Sequence, residues 1–324
     1  MKTHKKNRIS KLFLLSIVLL SFSCTTEDIA IEESNVFNSV SDLQNKISHS
    51  DQAIAARYAP WFYQDVDITD GFCRNQSKSG SADWITKVDY DGDWKTGNNW
   101  DNMVSARNSG KLIPYVYYYV TYTETHFFIL YSVYHPRDWT DIPFLCSLDT
   151  HENDFEAVLI TANRKSNGGF GGVIDAQTIF HTEVLDYSRS ELRLRNDTTA
   201  EMFIEAKGHG IRAFRGSSDT DDSYIRYYYN AAKAVSPDKD SKNLPQNVHY
   251  NLLPLETTLW LQRDNRETIS GTALVGNNGD GSNRASAPWG WENGRICKNP
   301  AQYLKDKYGW TNFSTKYISD TPIQ

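Results

Sequence analysis

Ile113-Pro-Tyr-Val-Tyr-Tyr-Tyr-Val-Thr-Tyr122 and His126-Phe-Phe-Ile-Leu-Tyr-Ser-Val-Tyr134 decide the fold class. Both are dense in aromatic and β-branched residues, the side chains that suit a pleated surface. The Thr123-Glu-Thr125 break between them reads as a hairpin. Apolar residues occupy both parities of each run, so both faces are covered, as in the middle of a sandwich. Further strands are expected over 155–161, 173–187 (one or two, broken near Asp175), 190–195, 202–206, 247–253 and 257–262, with a first strand over 58–63. Helical spacing appears over 41–56 and 300–308, and one helical turn near 100–106. The segment 219–245, polar around Tyr224-Ile-Arg-Tyr-Tyr-Tyr-Asn-Ala-Ala, reads as an insertion carrying a short helix. Aromatic residues make up 13% of the chain. With many short strands, that points to a mainly β protein: a β-sandwich with peripheral helices, in a single domain over 41–324.

The N-terminus reads as an address. Lys2, Lys5, Lys6, Arg8 and Lys11 precede an apolar run from Leu12 to Leu20, too short to span a bilayer well. It ends in Leu20-Ser-Phe-Ser-Cys24, which is similar to a bacterial lipobox. Residues 1–23 are then a signal peptide, Cys24 the lipidation site, and 24–40 a polar, acidic tether. The expected location is the cell envelope, as an outer-membrane lipoprotein. The acids after Cys24 (Glu27, Asp28, Glu32, Glu33) point to exposure at the cell surface. The chain has a net charge of −6, and removal of the five basic leader residues takes it to −11. Such a charge argues against nucleic acid as a partner and against unaided binding to anionic lipid. Membrane contact is expected through the lipid anchor. After Cys24 only Cys73, Cys146 and Cys297 remain, at spacings that match no zinc framework. Export favours one bridge, expected between Cys73 and Cys297.

The chemistry concentrates downstream of the second aromatic run. Tyr131-Ser-Val-Tyr-His-Pro-Arg-Asp138 is followed by His151-Glu-Asn-Asp154-Phe-Glu156-Ala-Val-Leu-Ile160. Side chains alternate along a strand, so Asp154 and Glu156 share a face with Val158 and Ile160. That face changes from acid to apolar within one step, which places both carboxylates at the mouth of a buried strand. Two carboxylates roughly 7 Å apart in a partly dry site repel each other, and a cation offsets the repulsion. His151 lies within reach, and Asp138 falls at the same edge if the two strands are neighbours. Three oxygen donors and one imidazole suit Mg, Mn or Ca; zinc takes more nitrogen or sulfur. The competing reading is a hydrogen-bonded loop capped by Asp154. Trp139 is the candidate for an exposed contact beside the ion.

These two stretches resemble the central region of the necrosis- and ethylene-inducing peptide-like proteins, with a Tyr-Ser-x-Tyr-x-Pro-Lys-Asp strand end and a Gly-His-Arg-His-Asp-Trp-Glu heptapeptide. Related vacuolar-sorting-type domains share part of the second motif. The resemblance covers about 30 residues clearly. It implies a β-sandwich flanked by helices and a divalent cation held by the positions of Asp138, His151, Asp154 and Glu156. Its better-known members are cytolysins that bind sphingolipid head groups. Thr150, Glu152, Asn153 and Phe155 replace the family's Gly, Arg, second His and Trp, so the family's target does not carry over. His181 matches a histidine of the family's next strand; a core histidine bonded to backbone is the other reading. Lys207-Gly-His209-Gly reads first as a plain turn and second as a ligand contact. Asn277-Asn-Gly-Asp-Gly-Ser-Asn-Arg284 looks partly like a calcium loop but lacks its closing glutamate. Trp289 and Trp291 read as a packed corner before a sugar-stacking surface.

No nucleophile motif or phosphate loop is present in the sequence. Three functions remain open on this reading. One is a lipoprotein that uses a cation to hold a glycan, glycolipid or lipid head group. The second is a metal-dependent hydrolase of a glycan or phosphodiester, with Glu156 or His181 as base. The third is a metal that only staples loops.

Overall fold

The computed structural model describes residues 47–69, 80–140, 150–276, 285–320 and 323. The expected leader, Cys24, the tether, Cys73, Cys146 and the loop 277–284 lie outside the described residues. Residues Lys46–Gln324 form one compact unit.

The chain enters through helix α1 (Asp51–Tyr58), whose Ser50 cap accepts from the Ala53 amide. Of the expected helix over 41–56, residues 41–46 lie outside the described residues, 47–50 are not helical, and the helix runs from Asp51 to Tyr58. Strand β1 (Trp61–Asp65) follows, then α2 (Asn99–Asn108), β2 (Tyr115–Tyr122) and β3 (His126–Asp138). Next come β4 (His151–Arg164), β5 (Phe170–Phe180), β6 (Glu183–Ser188), β7 (Leu194–Arg195), β8 (Thr199–Ile204) and β9 (Ile211–Ala213). The last strands of the main sheet are β10 (Tyr224–Tyr229) and β11 (Gln246–Pro254), followed by a small ribbon, β12 (Ile269–Ser270) with β13 (Ala273–Leu274). Helices α3 (Arg295–Lys298) and α4 (Pro300–Tyr308) close the described chain.

The main sheet runs β6-β5-β4-β3-β2-β11-β10-β1-β8-β7, with β9 on β8. The sequence-neighbouring strands β2 to β6 form an antiparallel meander. Parallel pairs β2–β11 and β10–β11 join it to the second half. The sheet folds back so that β1, β8 and β9 face β3 to β5: Gln64 of β1 bonds His135 of β3, and Gly210 packs on Phe180 of β5. This is the sandwich the two aromatic runs imply. Strand β3 is buried over its first twelve residues and β4 over its first twelve as well, because both faces are covered.

Three expectations are corrected. Residues Tyr224–Tyr229 form β10, an interior strand between β1 and β11, and not a helix in an insertion. Alternation of Ile225 and Tyr227 inward with Tyr224, Arg226 and Tyr228 outward explains it. The run 257–262 is a 3-10 turn at Leu259–Gln262 and not a strand. Cys297 is a buried free thiol in α3, so the Cys73–Cys297 bridge is not formed.

Candidate metal centre

β3 and β4 pair with Asp138 opposite His151, His135 opposite Asp154 and Val133 opposite Glu156. Strict alternation would set His151 and Asp154 on opposite faces. Asn153 prevents this. Its φ of 66° is left-handed, and Pro136 across from it cannot donate to the ladder. Glu152 and Asn153 both turn toward α2, where they bond the Trp100 amide (2.6 Å) and Asn99 (3.0 Å). The phase of the strand reverses, and His151 joins Asp154 on the other face. Asn153 is held by a full set of bonds. Its Oδ1 also accepts from Tyr134, and its Nδ2 donates to the Thr96 and Val275 carbonyls.

Asp138, His151 and Asp154 each offer a donor atom, all within 4.8 Å of one another. His151 Nδ1 lies 2.8 Å from the Asn153 carbonyl, which directs Nε2 at Asp138 Oδ2, 3.1 Å away. Burial works against a charged ring, but the carboxylates of Asp138 and Asp154 outweigh it and hold His151 up at about 9. Burial likewise pushes the Asp138 carboxyl above its ordinary range.

Glu156 follows on the same face but belongs to neither compact group of donors. Its Oε1 accepts from the His181 amide (3.2 Å), and its Oε2 is buried with no partner. Burial first, then the Asp154 charge, raise its carboxyl well above the usual range. A buried, orphaned carboxylate oxygen beside three converging donors fits a hard divalent cation. Asp138, His151 and Asp154 would hold such an ion, with Glu156 Oε2 free to meet it or its water.

Behind this group sits a second one, in which the sequence pointed to Asp154 and, as the lesser reading, His209, but not to His135 or Asp83. His209, fully buried at φ 55°, lies 2.9 Å from Asp154 Oδ2 and 3.2 Å from Asp83 Oδ1. Burial opposes its charge, yet the two carboxylates raise it to about 9. Asp83 also accepts from Trp139 Nε1 (3.0 Å) and the amides of Lys207 and Asp67 (2.8 Å each). His135 stacks on His209 at 3.7 Å and bonds Gln64 at 2.9 Å. His135, Asp154 and His209 form a second compact group of possible ligands. His209 is thus no bare turn residue: it orients Asp154. Only the His-Pro step before Arg137 and the glycines around His209 signalled these roles.

Trp139 is 1% exposed, which corrects the expectation of an exposed contact. Its indole is spent on Asp83. His181 is the more open residue, at φ 57°, with Nε2 2.6 Å from Glu205 Oε1. Gly208 lets the turn after β8 approach it, since a Cβ there would meet the ring at 2.6 Å. Trp289 and Trp291 are buried, and Trp260 meets Trp289 edge-on at 5.0 Å, as a packed corner should.

The first group opens into a cavity of about 790 Å³. Asp138, His151, Asp154 and Glu156 line its floor, and His181, Glu183, Glu205, Lys207, Trp291 and Glu292 its walls. His181, Lys207 and Glu292 all adopt positive φ, so backbone strain gathers around the cavity.

No family model matches the chain, and no curated protein matches it. Solved structures do, and they include necrosis- and ethylene-inducing proteins, the family the two motifs resemble. One, described as a toxin fold for microbial attack and plant defense, is 16% identical over 75% of this chain and 88% of its own, with a TM-score of 0.41. The non-toxic HaNLP3 protein is 19% identical over 32% of this chain and 47% of its own, at 0.27. NLPPya in complex with glucosamine is 16% identical over 50% of this chain and 67% of its own, at 0.33. The match thus spans about half the length of HaNLP3.

Proposed function

We propose that the protein is an exported lipoprotein, anchored through Cys24, that binds a divalent cation at Asp138, His151 and Asp154. The cation would hold the oxygen-rich head group of a glycan or lipid in the cavity above. One observation carries this reading: buried His151 and Asp154 and half-buried Asp138 offer donors within 4.8 Å on a cavity floor, beside the partnerless Glu156 Oε2. Mg, Mn and Ca suit a donor set dominated by oxygen. His209 keeps Asp154 aimed, and His181 and Glu205 stand where a bound ligand's hydroxyl groups would lie.

A hydrolase is the second reading, favoured by Glu156. A buried carboxyl whose proton is held well above the usual range is a candidate acid or base.

The test is metal content of the purified protein, then glycan and glycolipid arrays with and without EDTA on wild type, Asp154→Asn and His151→Gln. The proposal expects a bound divalent ion and array binding, both lost in the variants. Hydrolysed products would establish the enzyme instead. A bound ion whose loss lowers only the melting temperature would make the site structural. Absence of any divalent ion from wild type would end the reading.

A further inference from the structure

The outer face of β1, β10 and β8 carries arginines interleaved with aromatic rings. Trp61 lies under two of them: the Arg195 guanidinium is 3.8 Å from its ring and that of Arg226 4.9 Å. Tyr228 flanks Trp61 at 5.1 Å, and Arg193 lies 5.8 Å over Phe214, which itself stacks on Tyr63 at 3.7 Å. Glu201, 4% exposed, pairs with both Arg193 and Arg195. Arg226 has no such partner. Among the described residues its guanidinium makes no ion pair, and its Nε is buried without a hydrogen bond. Asp65, on the same face of β1, does not pair with it. This is an unneutralised cation in a chain of net charge −6.

We infer that this face binds a uronate-containing polysaccharide, with carboxylates on Arg226 and Arg195 across Trp61. Stacked rings fix the guanidinium planes, so their N–H edges meet an anion with little rotamer entropy to lose. The row beside them supplies sugar-hydroxyl partners: Tyr228 hydroxyl bonded to His249 at 2.7 Å, and exposed Asn247. A lipid surface suits the face less well. Among the described residues, none of the exposed large apolar side chains, Ile47, Val235, Leu261 and Ile318, belongs to it, and none of them is placed to enter a bilayer from this face. The surface is separate from the metal centre. Gln64, one residue beyond Tyr63, turns to the opposite side and meets His135.

The experiment is calorimetric titration with polygalacturonate, alginate and hyaluronan, in EDTA so that no ion bridges ligand and protein. Fully methyl-esterified polygalacturonate and poly-glutamate are the controls. Expected are binding to at least one polyuronate, weakening with salt, and none to the ester. Arg226→Gln should weaken it roughly tenfold or more, and Arg226→Lys less. Asp154→Asn should leave it unchanged, which separates this outcome from failure of the metal reading. Equal affinity for the ester or for poly-glutamate, no binding to any polyuronate, or an unaffected, folded Arg226→Gln would each overturn it.

Discussion

Asn153 performs two tasks that a single residue type can combine. Its backbone takes the left-handed conformation that reverses the phase of β4, and its amide makes four bonds, three of them buried. Asn153→Ala loses both. It should cost roughly 3–5 kcal/mol from unsatisfied buried groups and backbone strain, read by urea denaturation. Asn153→Gly keeps the backbone and should be milder by about 1 kcal/mol. It should also retain divalent-ion binding that the alanine variant loses, since only the former leaves His151 beside Asp154. Binding itself should follow pH. His151 holds its proton up to about 9 and must release it to ligate, so affinity rises from pH 7 toward 9. A flat titration between those values would remove His151 from the ligands. Asp138, His151, Asp154 and Glu156 could be read as a group because they are acids and an imidazole at a strand mouth. The phase reversal that unites them could not, since a lone Asn in an acidic run has many other uses.

At the level of elements, the turns after β5 and β8 meet through glycine. A Cβ on Gly210 would lie 2.8 Å from the Phe180 ring, a distance that requires one of them to move. Gly210→Ala should therefore cost about 1–3 kcal/mol and lower the melting temperature. Helix α3 makes a second prediction. Cys297 is buried, and burial pushes its thiol far above its ordinary value. It should resist alkylation by iodoacetamide in the native protein and react only on unfolding. The β2–β3 hairpin and α4 were legible because aromatic alternation and a proline-initiated helical pattern are local signals. β10 was misread: its polar outward residues and the loop composition around it look like an insertion until β1 and β11 flank it.

Across the whole molecule, His209 links the two halves of the sandwich. It lies between Asp154 of β4 and Asp83, which precedes α2, while standing in the turn after β8. Its folded value of about 9 exceeds the ordinary histidine value of 6.5. A raised value means stability is fully present below about 6.5 and is lost as pH rises through 9, an effect on the order of 3 kcal/mol. Urea midpoints should fall across that window for wild type. For His209→Asn, which suits a φ of 55°, this part of the decline should vanish. An unchanged slope would mean that the histidine is neutral. The sequence by itself determined the sheet-rich class, the central hairpin and the identity of the cavity-floor acids, because these follow from periodicity and residue chemistry along one or two strands. Tertiary structure decided what no local pattern encodes. It brought Asp83, His135 and His209 behind Asp154, buried Trp139, and left Arg226 unpaired on the far face. Those are contacts between segments far apart in the chain, where closure of the sandwich and not strand phase sets which side chains meet.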